Sequence, residues 1–245
     1  MVLPFALPWK HSVPDAKLFD AILNLLFPLA CILCSAPVRE RQWGPVCPQC
    51  WLKMKPLEAP YCPQCGLPQS PAEDTAGLCA SCRLQEQAFD YARSAYIFND
   101  PLREVIHHFK YADRVSLARP LGRMLRECID HGEFLGTVVI PVPLHRRRER
   151  QRGFNQAELL ARMLGRNVDT RILRRRKNTP SQTGLSRSQR TLNLAGAFEV
   201  CGPVQECIIV VDDVFTTGST LHEISKTLKR AGAERVEVLT VARVL

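Results

Sequence analysis

Two adjacent acids, Asp212 and Asp213, stand between an apolar run and a short stretch rich in hydroxyl groups. The apolar run, residues 208–211, consists of four β-branched residues, which is typical of a strand buried on both faces of a parallel sheet. The acids mark the end of that strand. Beyond them we predict a tight loop and the start of a helix, and the loop contains Thr216, Thr217, Gly218, Ser219 and Thr220.

This succession of residue types predicts a site with two opposite electrostatic halves. Backbone N–H groups in the loop and at the helix N-terminus favour a bound phosphate. The paired carboxylates would repel that phosphate, so they need hydroxyl groups or a metal ion a few ångströms away. A ribose 5-phosphate carries both kinds of group, and it is the ligand that this stretch favours.

Positive charge is concentrated in one part of the chain. The 245 residues carry a formal net charge of +9, whereas the segment 146–190 alone holds thirteen Arg and one Lys against three acids, a local excess of +11. The planar guanidinium of arginine binds phosphate oxygens in pairs, which favours a phosphate-binding site. The alternative is a solvated basic face that contacts nucleic acid without sequence preference.

Eight of the eleven cysteines form four Cys-x-x-Cys pairs, a spacing at which one tight turn supplies two zinc ligands. Metal binding in a reducing cytoplasm explains these pairs better than disulfides do. Two pairs complete one tetrahedral site, and we predict that neighbouring pairs combine, with an interleaved arrangement as the alternative. The first Zn²⁺ site would use Cys31, Cys34, Cys47 and Cys50, and the second Cys62, Cys65, Cys79 and Cys82.

Both zinc sites are predicted to stabilise the fold. Contact with nucleic acid or with a partner protein is an equally open role, because the segment 31–82 has no marked basic excess. The three other cysteines, Cys128, Cys201 and Cys207, are interpreted as small buried hydrophobic residues.

Other elements must position these groups. The run 137–140 predicts a second buried strand, which is followed by a constrained loop that contains Pro143, Leu144 and His145. In a parallel α/β sheet such a loop is a place for an anion. The apolar spacing after Pro101 predicts a helix that ends near Lys110, a residue that either reaches a pyrophosphate or is an ordinary surface lysine.

The rest of the chain continues the alternation of strands and helices. We predict a short strand at 170–173, a polar lid over 174–197 that would exclude water from a reactive donor, and a buried strand at 236–241. Repeated strand–helix–strand units predict an α/β fold with a parallel sheet and right-handed crossovers.

The first 28 residues are predicted to form a tail and a helix over 15–27, closed by Pro28. The apolar run 18–33 contains Asp20, Asn24 and Pro28 and is short for a membrane span, so we predict no transmembrane segment and a cytoplasmic protein. A helix packed on the protein's own surface is favoured over peripheral membrane contact, which would use Phe19, Ile22, Leu25, Leu26 and Phe27.

Together these motifs resemble the ComF family over about residues 20–245. The stretch 210–221 is similar to the phosphoribosyl-pyrophosphate (PRPP) signature of type I phosphoribosyltransferases. The other matching motifs are, in order, the eight paired cysteines, Phe109-Lys110-Tyr111, Pro141-Val142-Pro143-Leu144-His145, Arg152-Gly153-Phe154-Asn155-Gln156, Thr179 with Gln182, and Arg190 with Asn193.

The resemblance implies a double zinc ribbon joined to a type I phosphoribosyltransferase domain, in a family associated with natural competence. We therefore expect an N-terminal tail and helix at 1–28, the ribbons at 29–85 and the phosphoribosyltransferase domain at 86–245. The implied activity is Mg²⁺-dependent phosphoribosyl transfer from PRPP to an acceptor that the resemblance leaves unnamed. The alternative is a non-catalytic accessory protein of the DNA-uptake machinery, which binds single-stranded DNA and takes PRPP or a nucleotide as effector.

The resemblance also assigns roles to individual residues. Asp212 and Asp213 would hold the ribose hydroxyls, directly or through Mg²⁺, and the 216–220 loop would hold the 5-phosphate. The 143–145 loop would bind the pyrophosphate together with Arg148, and Lys110 is a further candidate catalytic residue.

Overall fold

The computed structural model describes residues 29–40, 43–69, 77–111, 114–177 and 194–245. Residues 1–28, for which a tail, a helix and the residues of a peripheral membrane contact were predicted, lie outside the described residues. Positions 178–193 of the predicted lid also lie outside them, and these include the motif residues Thr179, Gln182, Arg190 and Asn193. Among the described residues, no helix has the length and apolar character needed to cross a membrane.

The described helices and strands alternate through most of the chain. A short 3₁₀ turn, Val115–Leu117, leads into the fourth helix. The helices are α1 Pro48–Trp51, α2 Ala80–Leu84, α3 Asp100–Tyr111, α4 Ala118–Asp130, α5 Arg146–Arg152, α6 Gln156–Arg162 and α7 Ser219–Arg230. The strands are β1 Leu29–Ala30, β2 Pro37–Val38, β3 Tyr91–Ile97, β4 Val138–Pro141, β5 Asn167–Val168, β6 Leu173–Arg175, β7 Phe198–Val200, β8 Cys207–Phe215 and β9 Arg235–Arg243.

Five strands form one sheet in the order β3-β9-β8-β4-β5. Every neighbouring pair in it is parallel, and β8 lies at the centre, with Val210 opposite both Ile140 of β4 and Val238 of β9. The prediction of an α/β fold with a parallel sheet is confirmed. Because parallel strands end at the same edge, the acids near the end of β8, which continues to Phe215, and the loop that follows β4 are neighbours.

The core has two halves, one on each face of the sheet. On one face Ile209 and Val211 of β8 pack with α3, α4 and α6. On the other face Ile208 and Val210 pack with α7 and with β6 and β7, which form a separate antiparallel pair. This two-sided burial is the physical reason for the unbroken apolar run in β8.

One local prediction in the basic segment was wrong, and the first residues of a second differ from the structure. The strand predicted at 170–173 begins only at Leu173, because Asp169 Oδ1 accepts hydrogen bonds from the backbone N–H groups of Arg171 and Ile172 and turns the chain. The predicted lid overlaps β6 at its first two residues, Arg174 and Arg175, which pair with Glu199 and Phe198 of β7, and its positions 178–193 stay a prediction.

The cysteine-rich segment covers the outer edge of β3. Leu57 N donates to Ala95 O at 3.0 Å, and Ile97 N donates to Lys55 O at 2.8 Å. The residues between the two ribbons therefore extend the sheet by antiparallel pairing at a strand edge that would otherwise be open. The domain boundary predicted between residues 85 and 86 falls between α2 and β3 and stays a prediction.

The paired cysteines form two groups of four, and within each group all the sulfur atoms lie within 4.8 Å of one another. The pairing of neighbouring Cys-x-x-Cys turns is confirmed, and the interleaved alternative is wrong. The groups repeat one local geometry, because Cys47 N lies 3.4 Å from Cys31 Sγ and Cys79 N lies 3.4 Å from Cys62 Sγ. The first group is Cys31, Cys34, Cys47 and Cys50, and the second is Cys62, Cys65, Cys79 and Cys82.

The chemistry of these sulfur atoms fits zinc, which binds thiolates. Burial disfavours the thiolate of Cys31, but hydrogen bonds from backbone N–H groups, led by that of Cys47, outweigh burial and lower the pKa of Cys31 to about 7. Burial also disfavours the thiolate of Cys62, but hydrogen bonds from backbone N–H groups outweigh burial there too. The strongest of them comes from Cys79, and the pKa of Cys62 falls to about 7. One ligand of each group is thus prepared for the metal.

The two cysteine groups lie on opposite faces of the sheet. The first packs with Trp43 and Trp51 into the half of the core that α3 and α4 cover. The second packs with Phe89 and Phe215 into the other half. The ribbon module therefore clamps the β3 edge from both sides.

The cysteines outside the groups differ from the prediction. Cys128 and Cys207 are partly buried, and Cys201 is exposed. Cys201 directly follows the last residue of β7, at the edge of the small antiparallel pair, and its side chain is exposed there.

We expect the purified protein to hold two zinc ions per chain. Cys31→Ser should lose one zinc and about 3 kcal/mol or more of unfolding free energy, because a buried structural metal site is lost. This loss corresponds to a fall in Tm of about 6–12 °C. Metal analysis and thermal denaturation measure the two effects. Cys201→Ser is the matched control, which should keep both zinc ions, and equal zinc loss in the two variants would contradict the assignment.

Candidate functional site

Asp212 and Asp213 lie in the last part of β8, which continues to Phe215. Asp213 is only 4% exposed, and its Oδ2 forms an ion pair with the Nζ of Lys110, at the end of α3. Gln156 Nε2 lies 3.4 Å from the other oxygen of Asp213. Lys110 is therefore part of the carboxylate site, and the interpretation of it as an ordinary surface lysine was wrong.

The two carboxyl groups have opposite pKa shifts. Burial and the neighbouring charge of Asp213 raise the pKa of Asp212 well above its ordinary value of 3.8. Burial also acts against the charge of Asp213, but the ammonium of Lys110 and hydrogen bonds from Asp212, Lys110 and Gln156 outweigh it and lower the pKa of Asp213. Without a ligand, Asp213 is thus the anion and Asp212 the group that tends to keep a proton.

A short network joins two sequence motifs to Asp213. Arg152 Nη1 donates to Gln156 Oε1, and Gln156 contacts Asp213. The guanidinium of Arg152 also lies over the ring of Tyr111, with Cζ 4.9 Å from the centroid. The motif at 152–156 and the motif at 109–111, which are far apart in the sequence, therefore meet at one carboxylate.

The 216–220 loop turns the chain from β8 into α7. Gly218 has φ +76°, and a Cβ there would lie 2.8 Å from the ring of Phe215, so this turn requires glycine. The hydroxyls of Thr217 and Ser219 lie 3.0 Å apart. The first N–H groups of α7 have no partner within the helix, and together with these hydroxyls they form an arrangement suited to a phosphate.

The 143–145 loop lies beside this site because the β4–β8 pairing continues past the end of β4. Val142 N donates to Val211 O at 2.9 Å, and Asn155 Nδ2 holds Val142 O at 3.1 Å. His145 caps α5, since its Nδ1 accepts from Arg147 N at 3.2 Å. This bond places the imidazole proton on Nε2, as a donor.

Helix α5 is a feature that the sequence did not predict. It has six basic or polar side chains around one acid, and none of its residues is buried. It ends at Gly153, which has φ +82°. Apolar periodicity is the main sequence signal for a helix, and this run has none.

Arg175 of β6 is a candidate site residue that sequence reasoning missed. Burial lowers its pKa first, the charge of Arg148 lowers it further, and the charge of Asp212 raises it. Arg148 and Asp212 are therefore both within electrostatic reach of Arg175. Arg175 thus adds a cation near one of the two carboxyl groups, and the predicted role of Arg148 at a pyrophosphate stays a prediction.

A cavity of about 590 Å³ opens on the outer side of the 143–145 loop, between α5 and the β6–β7 pair. Four arginines and three glutamates contribute to its wall, and neither Asp212, Asp213 nor the 216–220 loop does. The residues that line it in addition to Pro143, Leu144 and His145 include Arg146, Arg174, Arg175, Arg176, Glu149, Glu158 and Glu199.

Comparison with known proteins identifies both parts of the chain. The family model described as "Double zinc ribbon domain" matches residues 22–84, and the model described as "Phosphoribosyl transferase domain" matches residues 150–245. The ribbons clamped on β3 and the site at the end of β8 fall within these two matches.

Three curated relatives are similar to this chain. Competence protein F of Haemophilus influenzae is 37% identical over 178 residues, which cover 67% of this chain and 78% of that protein. DNA utilization protein YhgH of Escherichia coli K12 is 34% identical over 244 residues, 90% of this chain and 100% of that protein. Competence protein ComFC of Bacillus subtilis is 31% identical over 158 residues, 62% of this chain and 63% of that protein. The chain belongs to the ComF family, in which a double zinc ribbon is joined to a phosphoribosyltransferase domain.

Proposed function

We propose that this protein binds PRPP with Mg²⁺ and transfers its phosphoribosyl group. In this proposal Asp212 and Asp213 hold the ribose hydroxyls, the 216–220 loop holds the 5-phosphate, and the 143–145 loop with Arg148 holds the pyrophosphate. The observation that carries it is the junction of a pair of adjacent carboxyl groups with a hydroxyl-lined helix N-terminus at one end of β8.

The charges around the site support phosphoribosyl transfer, because they are opposite in sign to the charges that develop on the reacting groups. Pyrophosphate gains negative charge as it leaves, while the ribose carbon becomes positive. Arg175 lines a cavity together with the 143–145 loop and is within electrostatic reach of Arg148, so both arginines would supply cations on the pyrophosphate side, with the carboxylates on the ribose side. Carboxylate oxygens also suit Mg²⁺, which when bound would neutralise charge on the phosphate oxygens.

Lys110 has two tasks in this proposal. In the free protein it stabilises the buried charge of Asp213. If Mg²⁺ were bound at Asp213, its charge would replace that of the ammonium there, and the flexible four-carbon side chain of Lys110 would allow it to turn towards the pyrophosphate. Ligand binding would thus exchange one cation for another at the same carboxylate.

Two single substitutions test the carboxylate roles through opposite effects on stability. Asp212→Asn should abolish PRPP binding and raise Tm at neutral pH, because it removes a partly buried carboxyl that resists ionisation. Asp213→Asn should also abolish binding but cost about 2 kcal/mol of unfolding free energy, because Lys110 loses its anion. Calorimetry with PRPP and Mg²⁺ and thermal denaturation without them measure the two properties. Asp130→Asn, at the end of α4, is the control for both.

Stability should also depend on pH through Asp212. Its pKa is raised in the folded state, so its contribution to stability is complete below pH 3.8 and is lost as pH rises through the folded-state pKa. Asp212→Asn should remove this part of the pH dependence in thermal denaturation curves measured without ligand. PRPP affinity that is unchanged in both variants would refute the proposed function.

A second function, binding of single-stranded DNA, is favoured by the exposed face of α5. Arg146, Arg147 and Arg150 are exposed on that helix, and Arg174 and Arg176 lie across the cavity from it. Cations on two walls of a groove suit a phosphate backbone without base recognition. The relatives named for competence and DNA utilization agree with such a partner.

This second function predicts a salt-dependent interaction centred on α5. Replacing Arg146 and Arg147 by Ala should reduce the slope of log K against log salt by about 1.4 for single-stranded DNA, because two phosphate contacts are lost. Fluorescence anisotropy with a labelled oligonucleotide over a series of salt concentrations measures the slope. Replacing Lys226 and Arg230, exposed on α7, removes the same charge elsewhere and should leave it unchanged. Equal slopes in all three proteins would exclude α5 as the binding face.

A further inference from the structure

Arg243 is a buried cation between the second ribbon and the end of β8. It ends β9 and is 7% exposed. Its Nη1 donates to the backbone oxygen of Cys65 at 2.6 Å, and its Nη2 lies 3.6 Å from Cys65 Sγ. The guanidinium therefore contacts one of the four sulfur ligands of the second site directly.

The same guanidinium lies on the residue that precedes the phosphate loop. Its Cζ is 4.2 Å from the centre of the Phe215 ring, and Phe215 is opposite Arg243 in the β8–β9 pairing. Val244 N also donates to Phe215 O at 3.0 Å. One end of the Arg243 side chain thus holds the ribbon, and its flat face holds Phe215.

Phe215 in turn supports the turn that would receive the phosphate. A Cβ at Gly218 would lie 2.8 Å from Cζ of the Phe215 ring, so the turn rests directly on that ring. Phe89, next to the second ribbon, packs edge-to-face on the other part of the ring, with centroids 6.0 Å apart. A displacement of Phe215 would therefore move Gly218.

Charge explains why the contact with Cys65 depends on the metal. Four thiolates around Zn²⁺ carry a net charge of −2, and a buried charge of this size requires compensation. Arg243 supplies a buried positive charge beside one thiolate. Zinc also holds Cys65 in place, so loss of the metal would release the backbone oxygen and the sulfur atom that the guanidinium contacts.

We propose that the second zinc site positions the phosphate loop through Arg243 and Phe215, so that metal bound at this site sets the affinity for a ribose 5-phosphate group. The ligand in this proposal rests on the proposed function. The positioning itself is a property of the free protein, and it can be measured without any ligand. Arg243 is a positioning residue, because it touches the loop only through Phe215.

Arg93 of β3 contacts the same ribbon and provides a matched control. Its Nη1 donates to the backbone oxygens of Cys62 and Pro63 at 3.4 and 3.2 Å. Its guanidinium lies over the rings of Tyr91 and Tyr61, at 4.1 and 5.4 Å from their centroids, and not over Phe215. A general loosening of the ribbon should appear in variants of both arginines, whereas an effect on the phosphate loop should appear only with Arg243.

The decisive measurement is hydrogen exchange of residues 215–221 in the ligand-free, zinc-loaded protein. Arg243→Met should speed exchange there by about tenfold, the effect of losing a desolvated cation–π contact. Arg93→Met should match the wild type, and Arg243→Lys should restore part of the protection because it keeps the charge. Metal analysis should find two zinc ions in every one of these variants.

The metal dependence is tested by removing each zinc in turn. Cys82→Ser disrupts the second site without altering Cys65 and should speed exchange at 215–221, whereas Cys34→Ser disrupts the first site and should not. Unchanged exchange in zinc-loaded Arg243→Met, or equal acceleration in Arg93→Met, would overturn the proposal.

Ligand binding separates this proposal from the proposed function. Calorimetry with ribose 5-phosphate should show about tenfold weaker binding to Arg243→Met and unchanged binding to Arg93→Met, in line with the exchange data. If the wild-type protein binds neither ribose 5-phosphate nor PRPP, the proposed function fails, and the exchange measurements still decide whether the ribbon positions the loop. Binding unaffected by Arg243→Met would refute the link to affinity.

Discussion

The rest of this structure depends on one constraint, which is that two carboxyl groups lie side by side near the end of the buried strand β8. Asp212 and Asp213 cannot both be charged there without a cation. In the ligand-free protein the ammonium of Lys110 stabilises the charge of Asp213, and the raised pKa of Asp212 favours its protonated form. Gln156 of α6 also contacts Asp213, and Arg152 at the end of α5 donates a hydrogen bond to Gln156. These contacts fix α3 and α6 relative to β8, so the electrostatics of the site and the packing of one core face have the same origin.

The double zinc ribbon belongs to this architecture as a structural neighbour of the sheet. Its two cysteine groups pack into different halves of the core, and the chain between them pairs with β3. A small cysteine-rich module alone would bury little apolar surface. Here it shares the core of the larger domain, and the larger domain in turn has one of its strand edges covered.

The sequence predicted those parts of the site that are encoded by neighbouring residues. The acids with the following loop, the four Cys-x-x-Cys turns and the apolar strands all have local signatures, and the structure brings them into the expected elements. The ion pair between Lys110 and Asp213 has no such signature, because the partners come from different elements and meet only when α3 packs on the sheet. Arg175 and Arg243 were missed for the same reason, since an arginine in a strand gives no indication of which distant residue it will contact. Helix α5 was missed because it lacks an apolar stripe.

The coverage of β3 by the ribbon linker has a consequence for the behaviour of the protein when zinc is scarce. β3 is seven residues long and mostly buried, and its outer backbone groups are paired with the segment 55–57. Loss of the ribbon fold would expose these groups as a ready template for strands of other chains. At the opposite side of the sheet β5 has only two residues, too few to offer a comparable template. Metal supply would then govern the solubility of the whole chain, and self-association of metal-depleted molecules would begin at this one edge.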